Sequence, residues 1–243
     1  MADLSNLSVL LTGAAGGIGV AMAEAFAAAG ARLALVDLNA PTELAARLGS
    51  EHRAYQIDLS DPTAVQSEVP RIGQEMGIDI VINNAGLGIV FPADQMNVED
   101  WDNTFAVNLR GPWLVSAAAL PFLKKSGRGR IVNIASQAGV VAIDEHAAYG
   151  SSKAALIGLT KIQALEWAKF GITVNSISPT VVETPMALVG WAGEKGEKAK
   201  ADIPVGRFAQ PSEIAAAALY FASEGAAIVT GANLMADGGF TAQ

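Results

Sequence analysis

Short runs of apolar residues alternate along the chain with longer segments whose apolar positions are spaced as in helices. Short apolar runs bounded by turn residues are typical of strands buried on both faces of a parallel sheet. The predicted strands span residues 7–11, 32–36, 53–57, 78–82, 129–134 and 172–177, with a last strand among residues 227–239. The predicted helices span residues 21–29, 41–48, 98–125, 148–170 and 211–222, with another beginning near residue 62. No repeat or linker interrupts this alternation, so we expect one α/β domain covering residues 1–243.

A glycine-rich turn joins the first predicted strand to the first predicted helix. Within it, Gly13 permits a tight bend, Gly17 lets the backbone approach a pyrophosphate, and Gly19 lets the helix pack against the strand. Because the first N–H groups of a helix are free, its N-terminus also favours a phosphate. The turn therefore predicts a dinucleotide site, although any α/β fold can contain a glycine-rich turn. The expected cofactor contacts here are Gly13, Gly16, Gly17, Ile18 and Gly19.

An acidic residue closes the second predicted strand. Asp37 lies 18 residues after Gly19, near the spacing of a carboxylate that accepts hydrogen bonds from the ribose hydroxyls of a dinucleotide. A carboxylate there repels the 2′-phosphate of NADP, and the neighbouring Gly16 and Leu38 carry no positive charge to offset it. The sequence therefore predicts NAD as the cofactor, with Asp37 and Leu38 in contact with it.

Polar and small residues also follow the third and fourth predicted strands. Asp58 could meet the adenine amino group, or it could cap the helix that begins near residue 62. Asn83 could tie neighbouring strands together, whereas the small residues after it would let the backbone lie near the second ribose. Ligands of open parallel sheets bind outside the carboxyl ends of the strands, so we expect these residues to share one rim. The further expected cofactor contacts are Asp58, Leu59, Asn84, Ala85 and Gly86.

A serine, a tyrosine and a lysine then follow within 18 residues. Ser136 comes at the end of the fifth predicted strand, Tyr149 thirteen residues later, and Lys153 four residues after that. Residues four apart share one face of a helix. A cation beside a phenol lowers the pKa of the phenol, which makes the tyrosine a usable base near neutral pH. Taken alone, the segment is equally compatible with an ordinary Tyr and Lys on a solvated helix face.

The long helix predicted at 98–125 has apolar residues on more than one face, so it is either buried within the domain or packed against a partner chain. Gly111 and Pro112 interrupt it, and a kink frees backbone carbonyl groups. Asn108 lies just before this point. Its side chain either satisfies the freed backbone groups or takes part in catalysis.

Composition excludes several classes of function. The chain has 243 residues, a formal charge of −8 and no basic cluster, so it is a poor candidate for binding nucleic acid or an anionic membrane. It has no cysteine and only two histidines, which excludes thiol chemistry and argues against a histidine-rich metal site. No apolar run reaches the ~18 residues that a bilayer requires, and no signal segment opens the chain. We therefore expect a cytoplasmic protein.

Together, the motifs resemble those of the short-chain dehydrogenase/reductase family over essentially the full length. The residues that carry the resemblance are Thr12-Gly-x-x-x-Gly-Ile-Gly19, Asp58, Asn83-Asn-Ala-Gly86, Asn108, Ser136, Tyr149-x-x-x-Lys153 and 179–184. The resemblance implies a Rossmann-type, doubly wound sheet of about seven parallel strands and a homotetramer built through the helices at about 99–125 and 149–170.

The resemblance also implies roles for individual residues. Tyr149 would take the alcohol proton, Lys153 would lower its pKa and hold the nicotinamide ribose, and Ser136 would hydrogen-bond the reacting oxygen. Asn108 would hold a water that relays the proton. Pro179, Val182 and Thr184 would contact the nicotinamide part of the cofactor.

Pro179-Thr-Val-Val182, where many family members have Pro-Gly, resembles the subgroup that acts on polyols and ketoses. The expected reaction is oxidation of a polyol with NAD, with a small-molecule polyol or ketose as the partner. The expected substrate contacts are Ser136, Gln137, His146, Tyr149 and Trp191, the last in a lid over 186–203 that is alternatively a solvated surface helix. The ending at Gln243 resembles one that binds Mg²⁺ in some members, although an ordinary exposed terminus is the simpler interpretation.

Two other functions stay open on the sequence. One is an NADPH-dependent carbonyl reductase acting on 3-ketoacyl thioesters or diacetyl. The other is a regulator that binds a dinucleotide without catalysis, and the joint presence of Asn108, Ser136, Tyr149 and Lys153 argues against it.

Overall fold

The computed structural model describes residues 3–242, apart from the side chains of Met186 and Val189. Its centre is a parallel sheet of seven strands in the order β3-β2-β1-β4-β5-β6-β7, which confirms the predicted doubly wound architecture. The chain winds outward in one direction from β1 and in the other from β4. The strands are β1 Ser8–Thr12, β2 Arg32–Asp37, β3 Arg53–Gln56, β4 Ile80–Asn83, β5 Arg130–Ile134, β6 Thr173–Pro179 and β7 Asn233–Ala236.

Helices cover both faces of the sheet. Helices α1, α2 and α9 pack their apolar side chains on one face, and α3, α5 and α6 pack on the other. Because both faces are covered, the central strands are apolar along their whole length. The helices are α1 Gly17–Ala28, α2 Thr42–Leu48, α3 Pro62–Met76, α4 Val98–Phe105, α5 Gly111–Ser126, α6 Ala147–Trp167, α7 Pro185–Gly190, α8 Glu194–Ala201 and α9 Pro211–Ala222.

The order of the strands reverses between β1 and β4, and hydrogen bonds join the carboxyl ends of these two strands. The Thr12 hydroxyl accepts from the backbone N–H of Asn84 at 3.1 Å, and the Asn84 amide donates to the carbonyl oxygen of Gly13 at 2.9 Å. The crevice at this reversal is where ligands of open α/β sheets bind. The glycine turn and the residues after β4 therefore meet at one point of the rim.

The long helix predicted at 98–125 is one continuous rod, but it is not α-helical throughout. Between α4 and α5, residues Ala106–Arg110 form a π-helical turn, in which the Gly111 N–H donates to the carbonyl oxygen of Ala106. Pro112 has no N–H and its ring crowds the preceding turn, and the wider turn accommodates both effects. The irregularity predicted at Gly111-Pro112 therefore lies in the turn just before it.

The larger differences from the prediction concern the start of α1, the last strand and the lid. Helix α1 begins at Gly17, within the glycine turn, because glycines 17 and 19 are part of its first turn. Residues 227–231 are not part of a strand, and Ile228 is almost fully exposed. The predicted lid consists of α7 and α8, separated at residues 191–193. Within residues 3–242, no helix is long and apolar enough to cross a membrane.

Candidate active site

Four side chains predicted to act together come from three different elements. Ser136 follows the carboxyl end of β5, Tyr149 and Lys153 lie one turn apart on α6, and Asn108 lies in the π-helical turn between α4 and α5. The Ser136 hydroxyl oxygen accepts from the Ala138 N–H at 3.1 Å, which fixes the turn that carries it. The fold therefore brings these residues to the rim where the glycine turn lies.

Lys153 is a buried cation. Its side chain is 3% exposed, and Nζ donates a 2.8 Å hydrogen bond to the carbonyl oxygen of Ile134. Nζ also lies 5.7 Å from the centre of the Tyr149 ring. Because burial penalises the charged form, the pKa of Lys153 falls to about 8. The group is therefore still mostly an ammonium at neutral pH.

The direction of the shift at Tyr149 differs from the sequence-based expectation. Burial raises the pKa of the Tyr149 phenol, and a hydrogen bond with Ser136 opposes this only in part. A net lowering of the Tyr149 pKa, expected from the neighbouring cation, is therefore absent in this arrangement. The physical reason is that the loss of hydration dominates, while Lys153 Nζ is directed at the Ile134 carbonyl oxygen.

Asn108 is fully buried and all of its hydrogen bonds are made within the chain. Its Oδ1 accepts from the Leu87 N–H at 2.8 Å, and its Nδ2 donates to the Leu87 carbonyl oxygen at 2.9 Å and to the Ser152 hydroxyl oxygen at 3.1 Å. Asn108 thus satisfies backbone groups of Leu87, in the segment after β4. The prediction that its side chain satisfies carbonyl groups freed by the kinked helix is therefore wrong, because the polar groups nearest to it belong to a different segment. Its water-relay role stays a prediction.

The glycine turn fits a dinucleotide. A Cβ on Gly17 would lie 2.7 Å from the Thr184 side chain, and one on Gly13 would lie 2.7 Å from the Ala85 backbone, so both positions exclude larger residues. No side chain caps the N-terminus of α1, where Gly16 and Ile18 lie at least partly exposed. The first-turn N–H groups are therefore open to a phosphate, while Gly19 packs against the backbone of Gly13.

Asp37 closes the other side of this turn. Its carboxylate accepts from the Ala15 N–H at 2.9 Å and from the Leu38 N–H at 2.7 Å, and the Leu38 side chain is exposed. Asp37 is thus a structural part of the turn as well as a candidate ribose contact, since each carboxylate oxygen can accept a second hydrogen bond.

The residues after β3 divide into an exposed and a buried member. Asp58 is exposed and accepts from both the backbone N–H and the hydroxyl of Ser60, while the Leu59 side chain is buried. Asp58 does not cap the following helix. Asp61 does so, since its carboxylate accepts from the Thr63 N–H at 2.8 Å. Asp58 therefore remains free to contact a ligand.

Asn83 and Asn84 have different tasks. Asn83 is buried, and its side-chain amide donates to Asn133 and Ser116. It therefore ties β4 to β5 and α5, which is the structural role predicted for it. Asn84, Ala85 and Gly86 lie partly exposed on the rim. A Cβ on Gly86 would lie 3.3 Å from both the Lys153 ammonium and the Asn108 Oδ1, which places the backbone here beside the candidate catalytic groups.

The predicted nicotinamide contacts follow β6. Pro179 ends the strand, Val182 is buried and pairs with Ala209, and Thr184 caps α7 by accepting from the Ala187 N–H at 3.2 Å. The Thr184 side chain also occupies the space that a Cβ on Gly17 would need. The fold thus brings the segment 179–184 to the glycine turn.

The three additional substrate candidates differ in their surroundings. Gln137 is buried and its Oε1 has no hydrogen-bond partner. The His146 ring lies edge-on to the Tyr149 ring with centres 5.8 Å apart, and its Nδ1 lies 2.5 Å from the carbonyl oxygen of Asp144. The ring contacts of Trp191 are with Lys195 in the predicted lid and with Phe208, which lies beyond it in the chain. Contacts place His146, but not Trp191, beside Tyr149.

Two site residues were not predicted. Thr12 accepts from the residues after β4, and Ser152 links Asn108 to the carbonyl oxygen of Tyr149. Ser152 could have been proposed from the sequence, because it is a hydroxyl residue directly before Lys153 on the predicted helix. Gln243 lies outside the described residues, and within 3–242 no group of three His, Cys, Asp or Glu side chains could hold a metal ion.

Comparison with known proteins agrees with this geometry. A family model described as enoyl-(acyl carrier protein) reductase matches residues 13–241. The chain is 47% identical to a D-threitol dehydrogenase of Mycolicibacterium smegmatis, over 98% of this chain and 94% of that one. It is 41% identical to an NAD-dependent glycerol dehydrogenase of Listeria innocua, over 98% and 95%.

A solved structure from Beutenbergia cavernae, described as an NAD(P)-dependent gluconate 5-dehydrogenase with bound NADP, superimposes with a TM-score of 0.95 at 32% identity. The match covers 99% of both chains. Sequence, fold and site geometry agree, and the chain belongs to the short-chain dehydrogenase/reductase family of oxidoreductases.

Proposed function

We propose that the protein oxidises an alcohol group of a polyol with NAD, yielding a ketose where that group is secondary and an aldose-type carbonyl where it is primary. The observation that carries the proposal is the convergence of Ser136, Tyr149 and Lys153 at the carboxyl end of β5, beside a glycine turn that fits a dinucleotide. The polyol dehydrogenases of threitol and glycerol among its relatives support the substrate class.

The dinucleotide, when bound, supplies the hydride acceptor. The chain supplies the proton chemistry. The Tyr149 phenolate takes the proton of the reacting hydroxyl, and the Ser136 hydroxyl donates to the same oxygen, so that the oxygen's developing charge is stabilised. Since burial raises the pKa of Tyr149, the phenolate requires a compensating charge, and the Lys153 ammonium is the cation beside it. Asn108 holds the backbone at Leu87 next to this pair.

Recognition of a polyol requires hydrogen-bonding groups for the hydroxyls that do not react. The unpaired Oε1 of buried Gln137 is costly unless a ligand donates to it, and a substrate hydroxyl is such a donor. His146 is the second proposed contact, through its position against Tyr149. We keep Trp191 as a third, on the condition that the lid brings its ring toward the site.

The preference for NAD rests on Asp37. Its carboxylate lies against the glycine turn and would repel a 2′-phosphate. The NAD-dependent glycerol dehydrogenase supports this choice, whereas the NADP-bound structure from Beutenbergia cavernae keeps NADP as the alternative.

One variant and one panel of substrates test the proposal. Tyr149→Phe removes the proton acceptor, so turnover with threitol, glycerol and other polyols should fall by at least a thousandfold while the NAD dissociation constant changes less than threefold. Wild-type enzyme that reduces 3-ketoacyl thioesters or diacetyl with NADPH, and does not oxidise polyols, would show a carbonyl reductase instead. A chain that binds NAD but turns over nothing in either panel would be a non-catalytic regulator.

We further propose that the protein is a homotetramer. A groove of about 820 Å³ lies between the α4–α5 rod and α6, and its lining includes Phe105, Trp113, Leu159 and Ile162. Trp113 and Ile162 are about half exposed, which leaves apolar surface that a second copy would cover. Trp113→Glu should therefore yield smaller species in sedimentation, and a monomeric wild type would refute the proposal. The cytoplasmic location stays a prediction.

A further inference from the structure

Helix α6 carries two buried hydroxyls that make the same pair of hydrogen bonds. Ser152 Oγ donates to the Tyr149 carbonyl oxygen at 2.7 Å and accepts from Asn108 Nδ2 at 3.1 Å. Two turns further on, Thr160 Oγ1 donates to the Leu156 carbonyl oxygen at 2.8 Å and accepts from Asn133 Nδ2 at 2.9 Å. One pair lies beside the reacting groups, and the other lies in the interior of the fold.

The Ser152 hydroxyl can act only as a hydrogen-bond acceptor toward Asn108. A hydroxyl has a single hydrogen, and here it is directed to the Tyr149 carbonyl oxygen, so Ser152 presents lone pairs to its other neighbours. It therefore accepts from the NH₂ end of the Asn108 amide and disfavours the flipped amide, whose oxygen would face those lone pairs. Together with the Leu87 backbone, a residue adjacent to Lys153 thus favours the observed orientation of Asn108.

The orientation of the amide matters because Asn108 and Lys153 border the same glycine. A Cβ on Gly86 would lie 3.3 Å from Asn108 Oδ1 and 3.3 Å from Lys153 Nζ. With Oδ1 accepting from the Leu87 N–H, the partial negative charge of the amide is on the side of the ammonium. A flipped amide would place its NH₂ there instead, next to a cation and opposite a backbone donor.

We propose that Ser152 is a positioning residue: it fixes the orientation of the Asn108 amide, and through it the backbone at Gly86–Leu87, beside Lys153. Ser152 is 0% exposed and is no candidate for contact with substrate or cofactor, so it acts through Asn108. This inference rests on the proposed function, because its consequence is read in the reaction at Tyr149.

Ser152→Ala and Thr160→Val form a matched pair, since each removes one buried hydroxyl that bridges an asparagine to α6. We expect Ser152→Ala to lower kcat about tenfold with both KM values changed less than twofold. In a plot of kcat against pH, the variant should reach half of its maximal kcat about half a pH unit higher than wild type. The reason is that an Asn108 amide and a Lys153 ammonium held less firmly stabilise the Tyr149 phenolate less. Thr160→Val should lower the melting temperature by about as much as Ser152→Ala does, yet leave kcat and the pH profile of kcat unchanged.

A second measurement needs neither substrate nor cofactor. Hydrogen exchange of the Leu87 amide, which donates to Asn108 Oδ1, should speed up in Ser152→Ala and not in Thr160→Val. If Ser152→Ala does not fold, Ser152→Cys keeps a weak acceptor and serves for the same comparisons, with smaller expected effects.

The possible failures are distinct. If Tyr149→Phe is inactive but Ser152→Ala matches Thr160→Val in kcat, pH profile and Leu87 exchange, the positioning role is refuted and the proposed function stands. If Tyr149→Phe retains activity, the proposed function fails, while the exchange result still decides whether Ser152 orients Asn108.

Discussion

The Lys153 ammonium donates a 2.8 Å hydrogen bond to the carbonyl oxygen of Ile134. This bond ties α6 to the carboxyl end of β5, two residues before Ser136. It also fixes a cation inside the protein, where burial lowers its pKa to about 8. Because burial of a charge opposes folding, we expect a neutral side chain at this position to give a more stable fold.

Lys153→Met should separate stability from activity. The pKa is lowered by about 2.5 units from 10.5, and at ~1.36 kcal/mol per unit burial of the charge costs about 3 kcal/mol at neutral pH. Loss of the hydrogen bond donated by the ammonium offsets ~1.5–3 kcal/mol of this, so denaturant unfolding at pH 7 should show the variant at least as stable as wild type, by up to ~2 kcal/mol. Its turnover should fall at least a hundredfold.

The pH dependence gives the check on this prediction. Between pH 8 and 10.5 the unfolded chain holds the Lys153 proton and the folded chain does not, so this group adds stability as the pH rises. The advantage of Lys153→Met over wild type should therefore shrink across this range. An advantage that stays constant would show that charge burial is not its origin.

Gly17 and Gly16 offer a contrast within one turn. A Cβ on Gly17 would overlap Thr184, whereas a Cβ on Gly16 would meet only the Gly13 carbonyl oxygen, at 3.5 Å. Gly17→Ala should therefore cost ~1–3 kcal/mol of unfolding free energy without any ligand, and Gly16→Ala less than ~0.5 kcal/mol. Equal costs for the two variants would mean that Thr184 does not pack on this turn.

Asp37→Asn tests the choice of cofactor. Removing the charge should lower kcat/KM for NAD by about tenfold and raise it for NADP, since repulsion of the 2′-phosphate is relieved. Glu43→Gln, one helix later, removes an equal charge on the first turn of α2 and should change neither constant. An NADP preference in wild type would instead show that Asp37 serves only to hold Ala15 and Leu38.

His52 makes the fold sensitive to acid. Its buried Nδ1 accepts from the Leu33 N–H at 3.2 Å, and burial lowers its pKa. As the pH falls below ~6.5, the unfolded chain takes up the proton before the folded chain does, so stability is lost. His52→Asn keeps an acceptor and does not titrate. Its unfolding free energy should therefore change less than that of wild type between pH 7.5 and 5, and parallel curves would argue against this role.

The architecture was predictable because its signals are local. Strands buried on both faces appear as apolar runs, and a glycine turn followed by a helix and an acid is a spacing that can be counted. The positions of Ser136, Tyr149 and Lys153 follow from these elements, since parallel strands end at one rim.

The features that could not be predicted are the cap of α3, the pKa of Tyr149 and the π-helical turn. Each depends on how nearby groups in the folded chain compete for the same space or hydrogen bond. Both Asp58 and Asp61 could cap α3, and only the backbone geometry selects Asp61. The pKa of Tyr149 depends on burial, which spacing does not report. The π-helical turn depends on how Pro112 is accommodated, and a kink at the proline itself was the simpler expectation.

That turn also sets which residues of the rod face the outer groove. Phe105 and Trp113 line the same groove, although eight residues in a regular α-helix would turn them about 80° apart. The π-helical turn absorbs one residue, so they keep the phase of residues seven apart, a difference of about 20°. The turn thus behaves as a one-residue insertion that adds the inward-facing Asn108 and leaves the groove in register. One rod therefore holds the candidate site residue Asn108 in the interior and keeps Phe105 and Trp113 together on its outer face.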